Sequence, residues 1–135
     1  MKARAAEGGS VRLEYLPDGS PDCPLIRLFD FTPPEAATLG VAVADMVAGR
    51  ADRVAVHELP GVASVGGCEL VLRARGWDQA VVRVGPAAFE CGFTPGTWGN
   101  VADLVEPFAA GSNGYQWLAG VPGEASLLLS VSGQW

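Results

Sequence analysis

The sequence predicts an α+β domain in which a largely antiparallel sheet of about seven or eight short strands carries two helices packed on one face. Three observations point to this fold class. Short segments rich in β-branched and aromatic residues recur along the chain, and many of the 18 glycines and 10 prolines fall between them. Two segments with helical periodicity each begin at a Thr-Pro pair, at Thr32 and at Thr94. Tight turns connect most of the strands, which favours antiparallel pairing.

The length and the composition indicate one domain with an ample apolar core. The chain has 135 residues, of which 49% are hydrophobic and 18% are charged. A chain of this length ordinarily forms a single domain, and this composition is not that of a disordered chain. Residues 1–10 are mostly small and polar, so we expect a flexible N-terminus followed by one α+β domain over residues 11–135.

The charge and the cysteines narrow the class of protein. Fifteen acidic residues outnumber nine basic ones, and a net charge of −6 argues against nucleic acid as a partner. The N-terminus lacks the apolar run of a secretory signal, and no apolar segment is long enough to span a bilayer. Three widely spaced cysteines indicate reduced thiols. We therefore expect a cytoplasmic protein without membrane contact, and the preference for Arg over Lys is typical of a bacterial sequence.

The first helix carries the clearest local signals. It is preceded by two predicted strands, at residues 11–15 and 25–31, that are separated by a turn at 17–20. Thr32 and Glu35 have the spacing of a capping box, and Pro33 occupies the first helical position. Gly49 is predicted to end the helix in the left-handed conformation. The residues predicted to form the buried face are Ala36, Leu39, Val43, Met46 and Val47.

The middle of the chain reads as a series of strands. Residues 54–59, 62–65, 68–75, 80–84 and 88–93 each have a strand-like pattern and are separated by glycine or proline. In residues 68–75, apolar side chains alternate with Glu69, Val71, Arg73 and Arg75, as expected when one face of the strand is buried. The turn at residues 76–78 predicts a hairpin between this strand and the next.

The second helix repeats the beginning of the first. The tripeptide at residues 93–95, Phe-Thr-Pro, matches that at residues 31–33, which suggests an internal β-α-β pseudo-repeat. The alternative is that Thr-Pro is simply an effective way to begin a helix. This helix lacks the capping glutamate, and its predicted buried face is Trp98, Val101, Val105 and Phe108. Two strands at residues 115–118 and 126–131, around a turn at 121–124, complete the chain.

No motif in the sequence identifies a reaction or a cofactor. The thiols of Cys23, Cys68 and Cys91 and the single histidine, His57, are ligand types that suit zinc, but no two of the cysteines form a close pair. The glycines match neither a phosphate-binding loop nor a dinucleotide fingerprint, and Ser64 is one position too late for a nucleophile elbow. We therefore predict no catalytic residue, no metal and no cofactor, and we do not expect an enzyme.

The first functional hypothesis is a small, non-catalytic, intracellular interaction domain with an acidic, tryptophan-bearing C-terminal surface. Arg83 is the last basic residue, and four acidic residues follow it. Aromatic side chains are effective anchors for a protein partner. A second copy of the chain, joined through a sheet edge, would also fit. The binding residues predicted on this basis are Trp77, Tyr115, Trp117 and Trp135.

The alternative hypothesis is a small-molecule pocket, or an enzyme, between the sheet and the helices. His57 is the only side chain whose ordinary pKa lies near neutrality, and it sits beside an acidic residue in a predicted strand. A thiol and a carboxylate occur together in a later strand. The residues predicted for this pocket are His57, Glu58, Glu90 and Cys91.

Overall fold

A computed structural model of the chain describes residues 11–119 and 124–135. The predicted flexible segment at residues 1–10 and most of the predicted turn at 121–124 lie outside these residues. Two α-helices and nine strands are present in the described part of the chain. The helices are α1 (Pro33–Val47) and α2 (Pro95–Ala109), and the strands are β1 (Val11–Leu16), β2 (Leu25–Phe29), β3 (Arg53–Ala55), β4 (Val62–Ser64), β5 (Glu69–Ala74), β6 (Gln79–Gly85), β7 (Ala88–Phe93), β8 (Tyr115–Ala119) and β9 (Ser126–Ser130).

The α+β class is confirmed, but the strands form two sheets where the sequence suggested one. The first sheet has the order β4-β1-β2-β9-β8 and the second has the order β3-β5-β7-β6. Of the seven strand pairings in the described part of the chain, three are parallel, namely β1–β4, β2–β9 and β5–β7. Parallel partners cannot be joined by a tight turn. They come from distant parts of the chain, which local turn signals do not reveal.

The predicted hairpin between residues 68–75 and 80–84 is wrong. Strand β7 lies between β5 and β6, parallel to the first and antiparallel to the second. The reason lies in the turn that joins β5 to β6. Asp78 in this turn accepts hydrogen bonds from Thr94 and Thr97 at the beginning of α2. The turn is therefore held at the end of β7, so β6 reaches the far side of that strand.

The strand predicted at residues 54–59 is shorter than expected. Only Arg53–Ala55 pairs with β5, and Val56–Glu58 forms a turn of 3₁₀ helix. The side chain of His57 explains why the pairing stops. Its Nδ1 atom accepts the backbone N–H of Leu70 at 3.2 Å, so the imidazole provides an acceptor for this N–H in place of a backbone carbonyl.

Both predicted helices are present, and their beginnings follow the expected chemistry. In α1 the capping box is formed, with the Thr32 N–H donating to Oε1 of Glu35 at 2.9 Å. Gly49 has a φ of 78°, which is the predicted left-handed conformation. In α2 the hydroxyl of Thr94 accepts the N–H of Thr97 at 3.3 Å. Neither helix combines the length and apolar character that crossing a bilayer requires.

One apolar core joins both helices to the inner faces of both sheets. The predicted buried face of α2 is confirmed in full, and that of α1 is confirmed except for Val47, which is 39% exposed. Trp98 is fully buried, and its indole N–H donates to the carbonyl of Arg73 at 2.8 Å. The helices α1 and α2 contact each other over this core, and the Phe31 ring before α1 lies 5.7 Å from the Phe108 ring at the end of α2.

The two halves of the chain share an order of elements. An antiparallel hairpin precedes each helix, β1–β2 before α1 and β6–β7 before α2. The strand that leads into each helix also lies parallel to a strand from the other half, β2 to β9 and β7 to β5. A duplication that produced these halves stays a prediction.

Candidate functional site

A cleft of about 790 Å³ opens on the outer face of the first sheet, the face turned away from the common core. We call it the C-terminal cleft. Three of the four aromatic residues predicted to bind a partner line it, although they lie up to 20 positions apart in the sequence. The residues that line it are Gly19, Ser20, Pro21, Asp22, Arg27, Tyr115, Trp117, Gly133, Gln134 and Trp135.

Strand β8 places two of the aromatic rings in the cleft. Tyr115 and Trp117 are two positions apart, so both side chains point to the same face of the sheet. Tyr115 is 50% exposed and Trp117 is half-buried. Neither ring belongs to the common core, which Leu118 joins from the opposite face. The rings are therefore available at the surface while their strand is fixed by pairing with β9.

The C-terminal segment after β9 is fastened to the outer face by a buried serine. The hydroxyl of Ser130, which is fully buried, accepts the N–H of Gly133 at 2.9 Å. The same hydroxyl donates to the carbonyl of Gln134 at 2.7 Å. Gly133 has a φ of 86°, a conformation that favours glycine. These contacts turn the chain back across the sheet and bring Trp135 to the cleft.

Arg27 on β2 also binds the C-terminal segment. Its Nη1 donates to the carbonyl of Gly133 at 2.6 Å, and its Nε and Nη2 donate to one carboxylate oxygen of Glu14 at 2.9 and 2.6 Å. The guanidinium carbon also lies 4.0 Å from the centre of the Phe29 ring. All three donor nitrogens of the guanidinium are therefore used within the fold, and Arg27 acts as a fixed polar floor of the cleft.

The last aromatic ring is oriented by the loop that precedes β2. The indole N–H of Trp135 donates to Oδ2 of Asp22 at 2.9 Å. Ser20 stabilises this loop, because its hydroxyl accepts the N–H of Asp22 at 3.1 Å. The contact joins the loop and the C-terminal residue across the cleft, and it leaves the flat faces of the indole ring free to contact a ligand.

The acidic residues of the C-terminal part do not share this surface. None of the four that follow Arg83 lines the cleft. Glu90 lies on the second sheet between Arg73 and Arg75, and Glu124 accepts the N–H of Arg83 on β6. The remaining two, Asp103 and Glu106, line a separate groove between α1 and α2. The aromatic residues of the cleft therefore lie apart from the four acidic residues that follow Arg83.

Trp77 is the one predicted aromatic residue that lies apart from the cleft. It is 61% exposed in the turn between β5 and β6, where the guanidinium of Arg75 lies 5.9 Å from the ring centre. Its position on the second sheet makes it a useful comparison for the two cleft tryptophans, which are half-buried.

The four residues predicted for the alternative pocket lie in different environments. The His57 ring is bonded to Leu70, and its Nε2 lies 3.8 Å from a carboxylate oxygen of Glu58. Glu58 lines a cavity of about 320 Å³ with Asp45 and Arg53. Cys91 is fully buried in the common core, on the face of β7 opposite to the ion-paired Glu90.

Two of the three thiols are unsuited to nucleophilic chemistry because they are buried. Burial raises the pKa of Cys91 to about 12 and that of Cys68 to about 11, so both thiols are protonated at neutral pH and are poor nucleophiles. No three His, Cys, Asp or Glu side chains of residues 11–119 and 124–135 are grouped so that they could hold a metal ion.

Two residues that shape the cleft, Arg27 and Asp22, were missed in the sequence analysis. Arg27 had a visible signal, because it is the only charged residue within the apolar strand at residues 25–29. A charge in such a strand needs a partner on one face of the sheet. Asp22 had no such signal, since its contact with Trp135 joins residues 113 positions apart.

Comparison with known proteins identifies no relative: the sequence matches no protein-family model and no curated protein, and the fold matches no solved structure.

Proposed function

We propose that this protein is a non-catalytic binding domain that recognises a polypeptide segment of a protein partner in the C-terminal cleft. The observation that supports the proposal is the convergence of Tyr115, Trp117 and Trp135 on one open surface. Two kinds of support carry the rings: a paired strand holds Tyr115 and Trp117, and a hydrogen-bonded terminal segment holds Trp135.

The chemistry of the cleft suits recognition by contact. Tryptophan and tyrosine provide large rigid surfaces that lose little conformational entropy on binding, and they dominate the binding energy of many protein interfaces. The two charged side chains in the cleft are engaged within the fold, Arg27 with Glu14 and Asp22 with Trp135. A partner's apolar and aromatic side chains can therefore contact the exposed Tyr115 ring and the half-buried rings of Trp117 and Trp135, and its backbone can contact the fixed polar groups around them.

The proposal can be tested with a phage-displayed library of random linear peptides panned against the immobilised wild-type protein. We expect enriched peptides that contain aromatic or large aliphatic residues. Synthetic versions should bind the Trp135→Ala variant at least about tenfold more weakly, which is the usual effect of removing an aromatic anchor. The control is Trp77→Ala, which removes a tryptophan outside the cleft that is more exposed than Trp135, and it should leave binding unchanged.

Two results would overturn the proposal. One is a library that yields no peptide enriched on the wild-type protein. The other is a set of peptides that bind the Trp135→Ala variant and the wild-type protein equally well.

The salt dependence distinguishes this site from an acidic docking surface. Screening weakens interactions between exposed charges but has little effect on aromatic contacts. We expect the association rate of an enriched peptide to change little between about 0.05 and about 0.5 M salt, whereas recruitment of a basic partner by exposed carboxylates would slow steeply. A steep decrease would place the binding surface on the acidic faces instead of the cleft.

A further inference from the structure

Among the described strands, four lie at sheet edges. Three of them, β3, β4 and β6, are short or covered, whereas β8 is neither. Strands β3 and β4 have three residues each, which leaves little edge to pair. Strand β6 is covered, because the N–H of Glu124 donates to the carbonyl of Val81 at 2.9 Å and its carboxylate accepts the N–H of Arg83. Strand β8 has five residues, and β9 is the only strand paired with it among residues 11–119 and 124–135.

Strand β8 itself contains neither the charged residues nor the prolines that keep many sheet edges apart. Natural edge strands ordinarily carry lysine, other charges or proline, which prevent pairing with another chain. No charged residue occurs between Glu106 and Glu124, and β8 itself reads Tyr-Gln-Trp-Leu-Ala. A β-bulge also protects a sheet edge, but the register shift of β8 lies after Trp117 and leaves the Tyr-Gln-Trp segment regular. An unprotected edge of this kind is expected when the edge is covered by a partner strand.

The hydrogen-bond pattern of β8 fixes which backbone groups face outward. The N–H of Val131 donates to the carbonyl of Gly114 at 3.0 Å, so these two residues form a hydrogen-bonded pair. Pairs alternate along an antiparallel ladder. Tyr115 and Trp117 therefore direct their N–H and C=O groups away from β9. The side-chain amide of Gln116 donates to the Trp117 carbonyl at 3.0 Å, as expected for a carbonyl without a strand partner.

We propose that β8 pairs with β8 of a second copy of this chain, in antiparallel register about a twofold axis at Gln116. The segment Tyr-Gln-Trp is self-complementary in this register. Tyr115 faces the partner's Trp117, and the outward backbone groups of these residues form four hydrogen bonds. The two aromatic pairs lie on the cleft face, where cross-strand aromatic contacts stabilise a sheet. The dimer joins the two first sheets into one sheet and places the two clefts side by side.

The position of Gln116 provides the test. In this register Gln116 lies directly opposite the partner's Gln116 in a closely spaced, non-hydrogen-bonded pair. Like charges at such a position are destabilising and opposite charges are stabilising. Gln116 does not line the C-terminal cleft, so its substitution leaves the aromatic binding residues in place.

The experiment is sedimentation velocity over about 1 μM to about 1 mM protein, the range of a weak dimer. We expect the weight-average mass of the wild-type protein to rise from 14.0 kDa toward twice that value. Gln116→Lys and Gln116→Glu should each stay at the monomer mass, and an equal mixture of the two should recover the doubled mass. Gln79→Lys, which changes a half-buried glutamine on edge strand β6, is the matched control and should dimerise like the wild-type protein.

Three outcomes would overturn the proposal. They are a wild-type protein that stays monomeric at every concentration, a Gln116→Lys variant that dimerises like the wild type, and a mixture of folded charge variants that stays monomeric. The recovery in the mixture cannot arise from a folding defect. If the protein stays monomeric but still binds the panned peptides, the dimer proposal is wrong and the proposed function is unaffected.

Discussion

The three cysteines illustrate how much the surroundings of a residue decide its chemistry. Cys68 and Cys91 are buried, and burial raises the pKa values of their thiols to about 11 and about 12. Cys23 is half-buried in the loop before β2, where its sulfur lies 3.7 Å from the hydroxyl of Ser20. Reaction with alkylating reagents needs an accessible thiolate, so Cys23 should be the reactive thiol of the native protein.

We expect iodoacetamide at about pH 8 to modify one thiol of the native protein quickly and the other two only after unfolding. Intact-mass measurements over time would follow the reaction. The Cys23→Ser variant should lose the fast phase. Fast modification of a second thiol, or a fast phase that persists in this variant, would contradict the burial of Cys68 and Cys91.

At Gly133 the C-terminal segment lies close against the side chains of β2. A Cβ atom at this position would lie 2.9 Å from Cδ2 of Phe29 and 3.0 Å from Nη1 of Arg27, and the φ of 86° also disfavours a side chain. We expect Gly133→Ala to lower the free energy of unfolding by roughly 1–3 kcal/mol. Urea denaturation would measure the difference.

Gly19 provides the matched control for this substitution. It has a φ of 110°, but a Cβ atom there would meet no atom within 4 Å. Gly19→Ala therefore introduces backbone strain without the contact, and the excess loss in Gly133→Ala isolates the close approach to Phe29 and Arg27. Equal losses in the two variants would show that the C-terminal segment does not pack on the sheet as closely as the structure has it.

At the scale of elements, the beginning of α2 shows one interaction replacing another. The capping glutamate of α1 has no counterpart in α2, but Asp78 from the preceding turn takes its place. Its carboxylate accepts the Thr94 N–H at 2.9 Å and the hydroxyls of Thr97 and Thr94 at 2.8 and 3.2 Å. These hydrogen bonds lower the pKa of Asp78, and the bond from the Thr94 N–H has the largest effect. A negative charge at this end also suits the helix dipole.

This geometry predicts how the stability of an Asp78→Asn variant depends on pH. Because the folded state holds Asp78 at a lower pKa than the unfolded state, the carboxylate contributes stability above the unfolded pKa of about 3.9. That contribution is lost as the pH falls through the folded pKa. We therefore expect the Tm of the wild type to exceed that of Asp78→Asn at neutral pH, and the difference to shrink below about pH 4.

Thermal unfolding followed by circular dichroism would measure both Tm values across the pH range. Asp18→Asn, which removes an exposed aspartate from a turn away from any helix end, is the control for the change in net charge. A wild-type advantage that stays the same size into acid would show that the charge of Asp78 does not stabilise the helix.

The local parts of each element were predictable from the sequence, because their causes are local. The caps at Thr32 and Thr94 and the buried faces of both helices follow from residues within about one turn of each other. The false hairpin after β5 failed for the opposite reason. The turn at residues 76–78 has ordinary turn chemistry, but the partners of Asp78 are 16 and 19 positions away in the sequence. No residue near the turn indicates that these are its partners.

At the scale of the whole molecule, the arrangement of the sheets was the least predictable feature. The first sheet depends on β2 pairing with β9, which joins Leu25 to Ser126 and Phe29 to Ser130. Such pairing is decided by which apolar faces can share a core, and many arrangements satisfy the same alternating pattern. The cleft was unpredictable for the same reason. Its aromatic residues could be chosen from the sequence, but their meeting with Asp22 and Arg27 depends on the distant pairing of β2 and β9.

The common core predicts that the two sheets unfold together. Residues from both sheets and both helices form one buried cluster, and α1 contacts α2 along their length. Opening either sheet alone would expose the apolar faces of both helices to water, which is costly because hydrophobic burial supplies most of the stability. Native-state hydrogen exchange in rising denaturant should therefore give the same opening free energy for slow amides of β2 and β9 as for those of β5 and β7. A lower free energy for one pair, with a weaker dependence on denaturant, would mean that its sheet opens separately and that the core divides between the sheets.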